Sequence, residues 1–419
     1  MTPGAGTPLR LTLAQGRAVA IVLAFAFAYF LSALLRAVTA TLAPVFSTEL
    51  GLGPSDLGLL AGMYFLGFAA LQLPLGRALD RFGPRRVLLV LLSIAVLGCA
   101  AFAMARDMLS LSLARLLIGM GVAACLMAPL TCYRHVFPTT TQLRLNSWML
   151  MTGSLGMLAS TLPVQMLLPY WGWRGLFGAL AGLMVLAMLF IAATTPKLEP
   201  APSAGSEGRY RDIMRHPVFV AMAPLGFFSY GGMIAIQALW AGPWLTQVGG
   251  QSAQQAAQGL FMINLCMLLA FLSWGFVMPR LARAGMGVHK VIAWGLPWSM
   301  AVLALIVALG PHAGAMLWAL WCVLSTCVSP SQPAVAQAFA PGWAGRALSA
   351  FNLVIFGGVF CLQWGIGLVV DTLGALGWSR TASFQGAMGL FLVGCLLSQA
   401  WFLWRMRRMA IIAPEASPS

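Results

Sequence analysis

The sequence predicts an all-α membrane protein whose twelve transmembrane helices form two pseudo-symmetric six-helix bundles. Of its 419 residues, 60% are hydrophobic and only 8% are charged, and the charged residues fall between long apolar segments. Soluble domains carry about 25% charged residues, so this composition excludes a soluble enzyme. A polar stretch in mid-chain divides the apolar segments six and six.

The predicted spans follow the apolar segments in order. Each has about the 17 to 25 residues that a helix needs to cross a bilayer, and two are longer. The first six cover residues 19–45, 57–75, 87–103, 109–130, 148–168 and 176–193, and the last six cover 218–245, 260–278, 291–309, 316–335, 348–370 and 387–403. We therefore predict an N-terminal bundle (1–193), a cytoplasmic linker (194–216), a C-terminal bundle (217–404) and a cytoplasmic tail (405–419).

The basic residues predict the orientation. Of the 24 lysines and arginines, nineteen would lie on the face that carries both termini, three on the opposite face and two inside spans. Basic residues favour the cytoplasmic side. We therefore expect a multi-pass protein of the bacterial inner membrane with both termini in the cytoplasm, and the net charge of +15 gives no reason to expect a nucleic-acid partner.

Glycines and prolines inside the spans predict close contacts and breaks. Gly58 and Gly62 are spaced as a GxxxG contact face. Proline removes a backbone donor and interrupts a helix. The prolines within spans are Pro74, Pro129, Pro163, Pro224, Pro243, Pro297, Pro330 and Pro333.

The segment that follows the second span combines glycines, arginines and one acid, and reads GRALDRFGPRRVLL. We expect Gly76 to let two helices approach closely and Gly83 to allow a turn that other residues disfavour. The segment after the eighth span, GFVMPRLARAG, is a degenerate copy in which Gly76, Asp80 and Arg81 align with Gly275, Pro279 and Arg280. This correspondence between the two halves indicates two structural repeats.

The segment resembles the loop signature of the major facilitator superfamily, G-x-L-A-D-R-x-G-R-R-x-x-L, from which Ala78 and Pro84 depart mildly. The resemblance covers nearly the whole chain and implies a transporter rather than an enzyme, working by alternating access. In the family this loop is a latch at the cytoplasmic gate, and its acid lies near the start of span eleven. The gating residues implied are Gly76, Asp80, Arg81, Gly83, Arg85, Arg86 and Arg346.

Arg36 and Arg115 are the charged residues inside the predicted spans. A charge kept within a membrane span indicates a functional site by default. Arg115 begins RLLIGMGVAA, which resembles the family's span-four pattern, and we leave a structural role and a role in coupling both open. Arg36 resembles the arginine of span one in the family's anion:cation symporters, although Leu35 stands where those proteins carry an acid.

A guanidinium stays charged and presents a planar fork to carboxylate, sulfonate or phosphate. We therefore expect Arg36 to bind an anion in a central cavity. The polar and aromatic residues of the helices that line this cavity in the family complete the predicted substrate site: Tyr29, Tyr64, Gln72, Tyr230, Gln237, Trp240, Asn264, Asn352, Gln363 and Trp364.

Other stretches, including WGWRGLF and QALWAGPW, resemble bacterial porters grouped with nitrate and nitrite carriers, yet spans two and eight hold no arginine. That difference disfavours nitrate, and the absence of an arginine from span seven disfavours organophosphate. The prediction is transport of a small organic monoanion, such as a carboxylate. The alternative is an exporter of amphipathic or siderophore-like compounds with the same fold.

No Asp, Glu or His falls within a predicted span, which favours exchange, facilitated diffusion or symport in which substrate and proton arrive together. The eight cysteines form no CxxC pair, so neither metal nor cofactor is expected. The four histidines are scattered over loops, which argues against a membrane-embedded acyltransferase. The partners expected are a small-molecule substrate and the lipid bilayer, and the protein is expected to be a monomer.

Overall fold

The structure is a computed structural model that describes residues 15–196 and 210–412. These residues are almost entirely helical and form no strand, as the sequence predicts. One face, which we call the terminal face, carries the first and last described residues, Gln15 and Ile412, and the two residues that border the gap in the described range, Pro196 and Tyr210. The turns at residues 50–53, 105–107, 249–252, 313–314 and 376–379 lie on the opposite face, which we call the far face.

The first bundle contains spans 1 to 6. Span 5 passes directly into span 6 at Gly172, whose φ of +60° is outside the helical region. The helices are Gln15–Glu49 for span 1, Pro54–Ala70 and Gln72–Phe82 for span 2, Pro84–Met104 for span 3, Met108–Val122 and Met127–Val136 for span 4, Thr139–Ala159 with the start of Leu162–Thr194 for span 5, and the rest of Leu162–Thr194 for span 6.

A short helix in the linker, Tyr210–Arg215, precedes the second bundle, which contains spans 7 to 12. Its helices are Pro217–Val248 for span 7, with π-helical turns at Gly226–Tyr230, Ile236–Trp240 and Trp244–Val248, then Ala253–Arg283 for span 8, Val288–Leu309 for span 9, Ala315–Ser325 and Ser331–Gln337 for span 10, Pro341–Ala375 for span 11 and Arg380–Ile412 for span 12.

In the described part of the chain, nine helices are each long and apolar enough to cross a membrane, and a bent pair in span 2, turned by 46°, makes a tenth. The two remaining spans of the twelve are spans 5 and 10, each of which is divided between two helices. The breaks in spans 2, 4, 5 and 10 each lie within a few residues before a proline, at Pro74, Pro129, Pro163 and Pro330. The missing proline N–H explains each of these breaks, as expected from the sequence. The expectation is wrong for Pro297, which lies inside the unbroken helix Val288–Leu309.

The segment predicted as a loop after span 2 is mostly helical. Gln72–Phe82 continues the span, and the chain turns only at Gly83, whose φ is +78°. Glycine adopts this conformation without the cost that a side chain would add. A side chain at Gly76 would meet no atom within 4 Å. The close helix contact that the sequence suggested at this glycine is therefore wrong.

The two bundles meet most closely toward the far face. Gly242 of span 7 packs on the carbonyl of Ala40, and Gly58 of span 2 packs on the carbonyl of Gln363. A Cβ at Gly62 would lie 3.0 Å from the ring of Phe360. The GxxxG face predicted for span 2 is therefore confirmed, and its partner is span 11.

Candidate functional site

The site is built around Arg36, which lies about 20 Å along span 1 from Glu49. From Leu31 to Ala43 every residue is buried except Arg36, which is partly exposed. The residues one turn away, Ser32 and Ala40, are buried against neighbouring helices. The exposed part of Arg36 therefore faces an internal space between helices rather than lipid.

Hydroxyl groups and an aromatic ring surround the guanidinium. The titratable side chains that act on its charge are those of Tyr64, Tyr29 and Tyr230. Its Cζ lies 5.8 Å from the centroid of the Phe68 ring. Its Nε is buried without a hydrogen-bond partner, and within the described residues no carboxylate pairs with it. Polar and aromatic groups therefore partly stabilise the charge, but no negative charge neutralises it.

Helix geometry brings these groups together. Tyr29 and Arg36 are seven residues apart on span 1 and share one face of the helix. Tyr64 and Phe68 are one turn apart on span 2, and their rings stack at 6.4 Å. Tyr230 ends the first π-helical turn of span 7, and such turns often occur at functional sites.

A chain of amide side chains runs from Tyr230 back to span 2. The Tyr230 hydroxyl donates to Oε1 of Gln332 at 3.2 Å, and Nε2 of Gln332 donates to Oδ1 of Asn352 at 2.7 Å. Nδ2 of Asn352 then donates to Oε1 of Gln72 at 3.5 Å, and Nε2 of Gln72 donates to the Phe68 carbonyl at 3.2 Å. We call these bonds the amide chain. It links spans 7, 10 and 11 to span 2.

Sequence reasoning did not find Gln332. It lies within Pro330-Ser-Gln-Pro333 in span 10 and is partly exposed, although its neighbour Ser331 is buried. The sequence does contain a signal for this residue, namely a polar side chain between two prolines in an apolar span. The prolines alone were interpreted, as helix breaks.

Other predicted site residues bind one another within the second bundle. Nε2 of Gln237 donates to Oδ1 of Asn264 at 2.9 Å, and Nε1 of Trp240 donates to the Gln363 carbonyl at 3.1 Å. The Gln363 amide is fully buried, and neither its nitrogen nor its oxygen has a partner. Trp364 is 36% exposed and contacts Phe360. Among the described residues, no hydrogen bond joins this group to Arg36 or to the amide chain.

Arg115 occupies a closed site between spans 1, 2 and 4. It is completely buried, donates from Nη1 to the Leu35 carbonyl at 2.9 Å and also donates from Nη2 to the Thr39 hydroxyl. Its Cζ lies 5.2 Å from the Tyr64 ring centroid. A Cβ at Gly119, one turn further along span 4, would overlap the Tyr64 carbonyl. The cation thus ties three tightly packed helices together.

The predicted gating residues lie at the terminal face. Asp80, Arg81 and Arg86 are exposed, and Arg346 is partly buried. Arg81 stacks on Phe82, with 5.2 Å from its Cζ to the ring centroid. Arg85 donates to the Ala192 carbonyl and so joins span 3 to span 6. Asp80 makes no hydrogen bond or ion pair with another described residue, and the latch stays a prediction.

Sequence reasoning also missed a bond between the bundles near the far face. Oδ2 of Asp371, in span 11, accepts a hydrogen bond of 2.8 Å from the backbone N–H of Ser55 at the start of span 2. The positive end of a helix dipole favours a carboxylate there. Nearby, Gly367 packs on the Pro54 carbonyl. The arrangement mirrors the latch predicted for Asp80 at the other face.

Comparison with known proteins shows the family. The chain matches the sequence profile of the Major Facilitator Superfamily over residues 25–363. It belongs to this superfamily. It is therefore a transporter rather than an enzyme, and the family expected from the loop signature and the twelve-helix fold are both confirmed.

Two curated relatives align over most of the chain. A gallate transporter of Pseudomonas putida is 26% identical over 391 residues, which is 81% of this chain and 84% of the relative. The niacin transporter NiaP of Acinetobacter baylyi is 24% identical over 342 residues, 70% of this chain and 75% of the relative. Among solved structures, a bacterial homologue of the human lysosomal transporter Spinster, inward-facing and unoccupied, superimposes with a TM-score of 0.75 at 16% identity, covering 97% of this chain and 100% of that one. This last similarity shows the fold alone.

Proposed function

We propose that this protein is a secondary transporter that carries a small organic monoanion, such as a carboxylate, across the inner membrane by alternating access. The observation that carries the proposal is Arg36, a partly exposed cation deep in the bundle with no carboxylate paired to it. Ionised side chains at this depth are costly unless they serve a function. An anion that enters the internal space would supply the missing partner.

The surroundings of Arg36 also suggest the kind of anion. The Tyr230 hydroxyl can donate to a carboxylate that is held by the guanidinium fork, since a tyrosine hydroxyl is a donor, whereas the Tyr64 hydroxyl donates to the Ser32 carbonyl. The Phe68 ring stacks on Tyr64 and contacts Phe356 with 4.6 Å between ring centroids, so an apolar or aromatic body would find a fitting surface. Gallate and niacin, after which the two relatives are named, each carry one carboxylate on one aromatic ring.

The decisive experiment is uptake of radiolabelled nicotinate and gallate into proteoliposomes. We expect saturable uptake by the wild-type protein and its loss in Arg36→Gln. Arg36→Lys should retain a fraction of the activity, because a single ammonium cannot reproduce the bidentate fork. Arg283→Gln is the matched control, since Arg283 is exposed and bonds only to its own helix, at the Pro279 carbonyl. Full uptake by Arg36→Gln would contradict the proposal.

We also propose that the terminal face is cytoplasmic and that transport needs no proton gradient of its own. The spans in the described structure offer no Asp, Glu or His near Arg36, and a guanidinium does not release its proton at physiological pH. Uptake should therefore proceed equally with and without an imposed pH gradient. Acceleration by an inward proton gradient would instead indicate symport of the anion with a proton.

The gates complete the proposal of alternating access. Asp80, with Arg81 and Arg346, would close the terminal face, and the Asp371 bond to Ser55 would close the far face. We expect Asp80→Asn to fold normally and to transport more slowly, since the amide cannot act as a charged latch. An Asp80→Asn variant with unchanged uptake would count against the terminal latch but not against the anion site.

A further inference from the structure

We propose that Gln332 is a positioning residue that couples occupancy of the anion site to the contact between the two bundles. This inference rests on the proposed function, because it concerns the same anion at Arg36. Gln332 makes no direct contact with Arg36. It acts through its two neighbours in the amide chain, Tyr230 and Asn352, which it joins across spans 7, 10 and 11.

The donors of the amide chain all point in the same direction. The hydroxyl of Tyr230 donates to Gln332, Gln332 to Asn352, Asn352 to Gln72, and Gln72 to the Phe68 carbonyl. In such a chain each bond polarises the next, so the members strengthen one another. Loss of the first donor, the Tyr230 hydroxyl, therefore weakens every later bond of the amide chain.

Both ends of the chain belong to residues that act on or contact the guanidinium. The Phe68 ring is 5.8 Å from Cζ of Arg36, and the Tyr230 hydroxyl acts on the Arg36 charge. Between these ends, the chain passes from one bundle to the other once, at the bond from Asn352 to Gln72. At 3.5 Å this is the longest bond of the chain and the easiest to break, since hydrogen bonds weaken with distance.

The single proton of the Tyr230 hydroxyl creates a competition. A tyrosine hydroxyl donates one hydrogen bond, so Tyr230 cannot serve both Gln332 and an anion on Arg36. A carboxylate is the stronger acceptor, because hydrogen bonds to charged acceptors are about twice as strong as neutral ones. When the anion binds, the Tyr230 hydroxyl therefore donates its hydrogen bond to the carboxylate instead of to Oε1 of Gln332. Gln332, which is partly exposed, is then free to turn, and Asn352 loses the donor that holds it toward Gln72.

Gln332 thus restrains the empty transporter and releases it when the anion arrives. Removal of the amide should have two opposite effects. Anion binding should become tighter, because the Tyr230 hydroxyl has no competing acceptor. The contact between spans 2 and 11 should loosen without any anion, so that the anion no longer triggers the change and turnover falls.

The test uses Gln332→Met, which keeps the length of the side chain and removes both polar atoms. Gln337→Met is the matched control, because Gln337 lies on the same helix, is exposed and takes no part in the amide chain. Spin labels on Phe82→Cys and Gly345→Cys report the distance between spans 2 and 11 at the terminal face, since both positions are exposed. The background carries Cys361→Ala, which removes the exposed native cysteine.

Without an anion, the distance distribution of Gln332→Met should be longer than that of the parent and of Gln337→Met. Nicotinate should lengthen the distance in the parent and leave Gln332→Met unchanged. The nicotinate Kd should fall about twofold to tenfold in Gln332→Met and rise by a similar factor in Tyr230→Phe, as expected for one hydrogen bond. In proteoliposomes, kcat of Gln332→Met should fall while KM also falls.

Identical anion-free distances in Gln332→Met and the parent would overturn the role of Gln332, whatever nicotinate does. A parent that fails to bind nicotinate would count against the proposed function, while the anion-free distances still decide the role of Gln332. Weaker nicotinate binding in Gln332→Met would also contradict the proposal, because it would make Gln332 a direct ligand of the anion.

Discussion

The two arginines inside the predicted spans, Arg36 and Arg115, occupy opposite kinds of environment. Arg115 is completely buried, two of its nitrogens are bonded to span 1, and its charge lies over the Tyr64 ring. The Nε of both arginines lacks a hydrogen-bond partner, but Arg36 is partly exposed, and tyrosines rather than helix carbonyls face it. The role of a charge in a membrane span therefore follows from the groups that surround it, and not from the charge alone. A buried cation whose terminal nitrogens bond a neighbouring helix joins helices, whereas a partly exposed cation that water can reach is available to a ligand.

The two sites share span 1 and Tyr64. Arg115 bonds the carbonyl of Leu35, the residue directly before Arg36. The ring of Tyr64 lies near Arg115, whereas its hydroxyl donates to the Ser32 carbonyl at 3.2 Å and contacts Arg36. Arg115 therefore fixes the helix segment that presents Arg36 to the internal space.

The largest expected effect is on stability. Arg115→Ala removes a buried side chain that joins three helices, and large-to-small changes of buried side chains cost about 3 to 5 kcal/mol. We expect a marked fall in the thermal midpoint and in the yield of folded protein, measured in detergent. Arg36→Ala, at a partly exposed site, should leave the thermal midpoint of the anion-free protein nearly unchanged. Equal losses of stability in both variants would contradict the different roles assigned to the two arginines.

An intermediate effect should separate the two sites within one side chain. Tyr64→Phe keeps the ring that faces Arg115 and removes the hydroxyl that contacts Arg36. We expect weaker nicotinate binding by about threefold to tenfold, the range of one hydrogen bond, with little change in the thermal midpoint. Tyr64→Leu should lower both, because the ring is lost as well. A Tyr64→Phe variant that loses stability but keeps its affinity would show that the hydroxyl serves only the fold.

An effect on stability alone is expected at Thr39, whose hydroxyl accepts from Arg115. Thr39→Val has nearly the same shape and removes this acceptor, which should cost about 1 to 3 kcal/mol of stability because a buried charged donor loses its partner. Thr41→Val is the matched control, since the Thr41 hydroxyl donates instead to the Ser160 carbonyl at 2.8 Å. The Kd for nicotinate should not change in either variant. An altered Kd in Thr39→Val would mean that the two arginines are more tightly coupled than proposed.

Most of the architecture could be predicted because it depends on local signals. Apolar length marks the spans, and Pro74, Pro129, Pro163 and Pro330 mark the breaks in them. Gly58 and Gly62 mark a contact face, though the sequence does not say that span 11 covers it. Gly76 shows the limit of such reasoning, since a glycine that matches a family pattern packs against nothing within 4 Å here.

The site was less predictable, because it depends on which side chains meet across distant spans. The charge of Arg36 in an apolar span was enough to single it out. Gln332 and Asp371 were not found as partners because their bonds reach Tyr230 and Ser55, which are 102 and 316 residues away in the chain. Gln237 and Asn264 have the polarity expected of a cavity, but they satisfy each other, and composition cannot distinguish such a pair from a ligand site.

The central claim is that the guanidinium of Arg36 binds the negative charge of the transported solute. The most direct test is calorimetric titration of the wild-type protein and Arg36→Gln with nicotinate and with its neutral amide, nicotinamide. The wild-type protein should bind nicotinate about 100-fold more tightly, as expected for roughly 3 kcal/mol from a charge-assisted pair, and in Arg36→Gln the two affinities should become nearly equal. A preference for nicotinate that survives in Arg36→Gln would contradict the account.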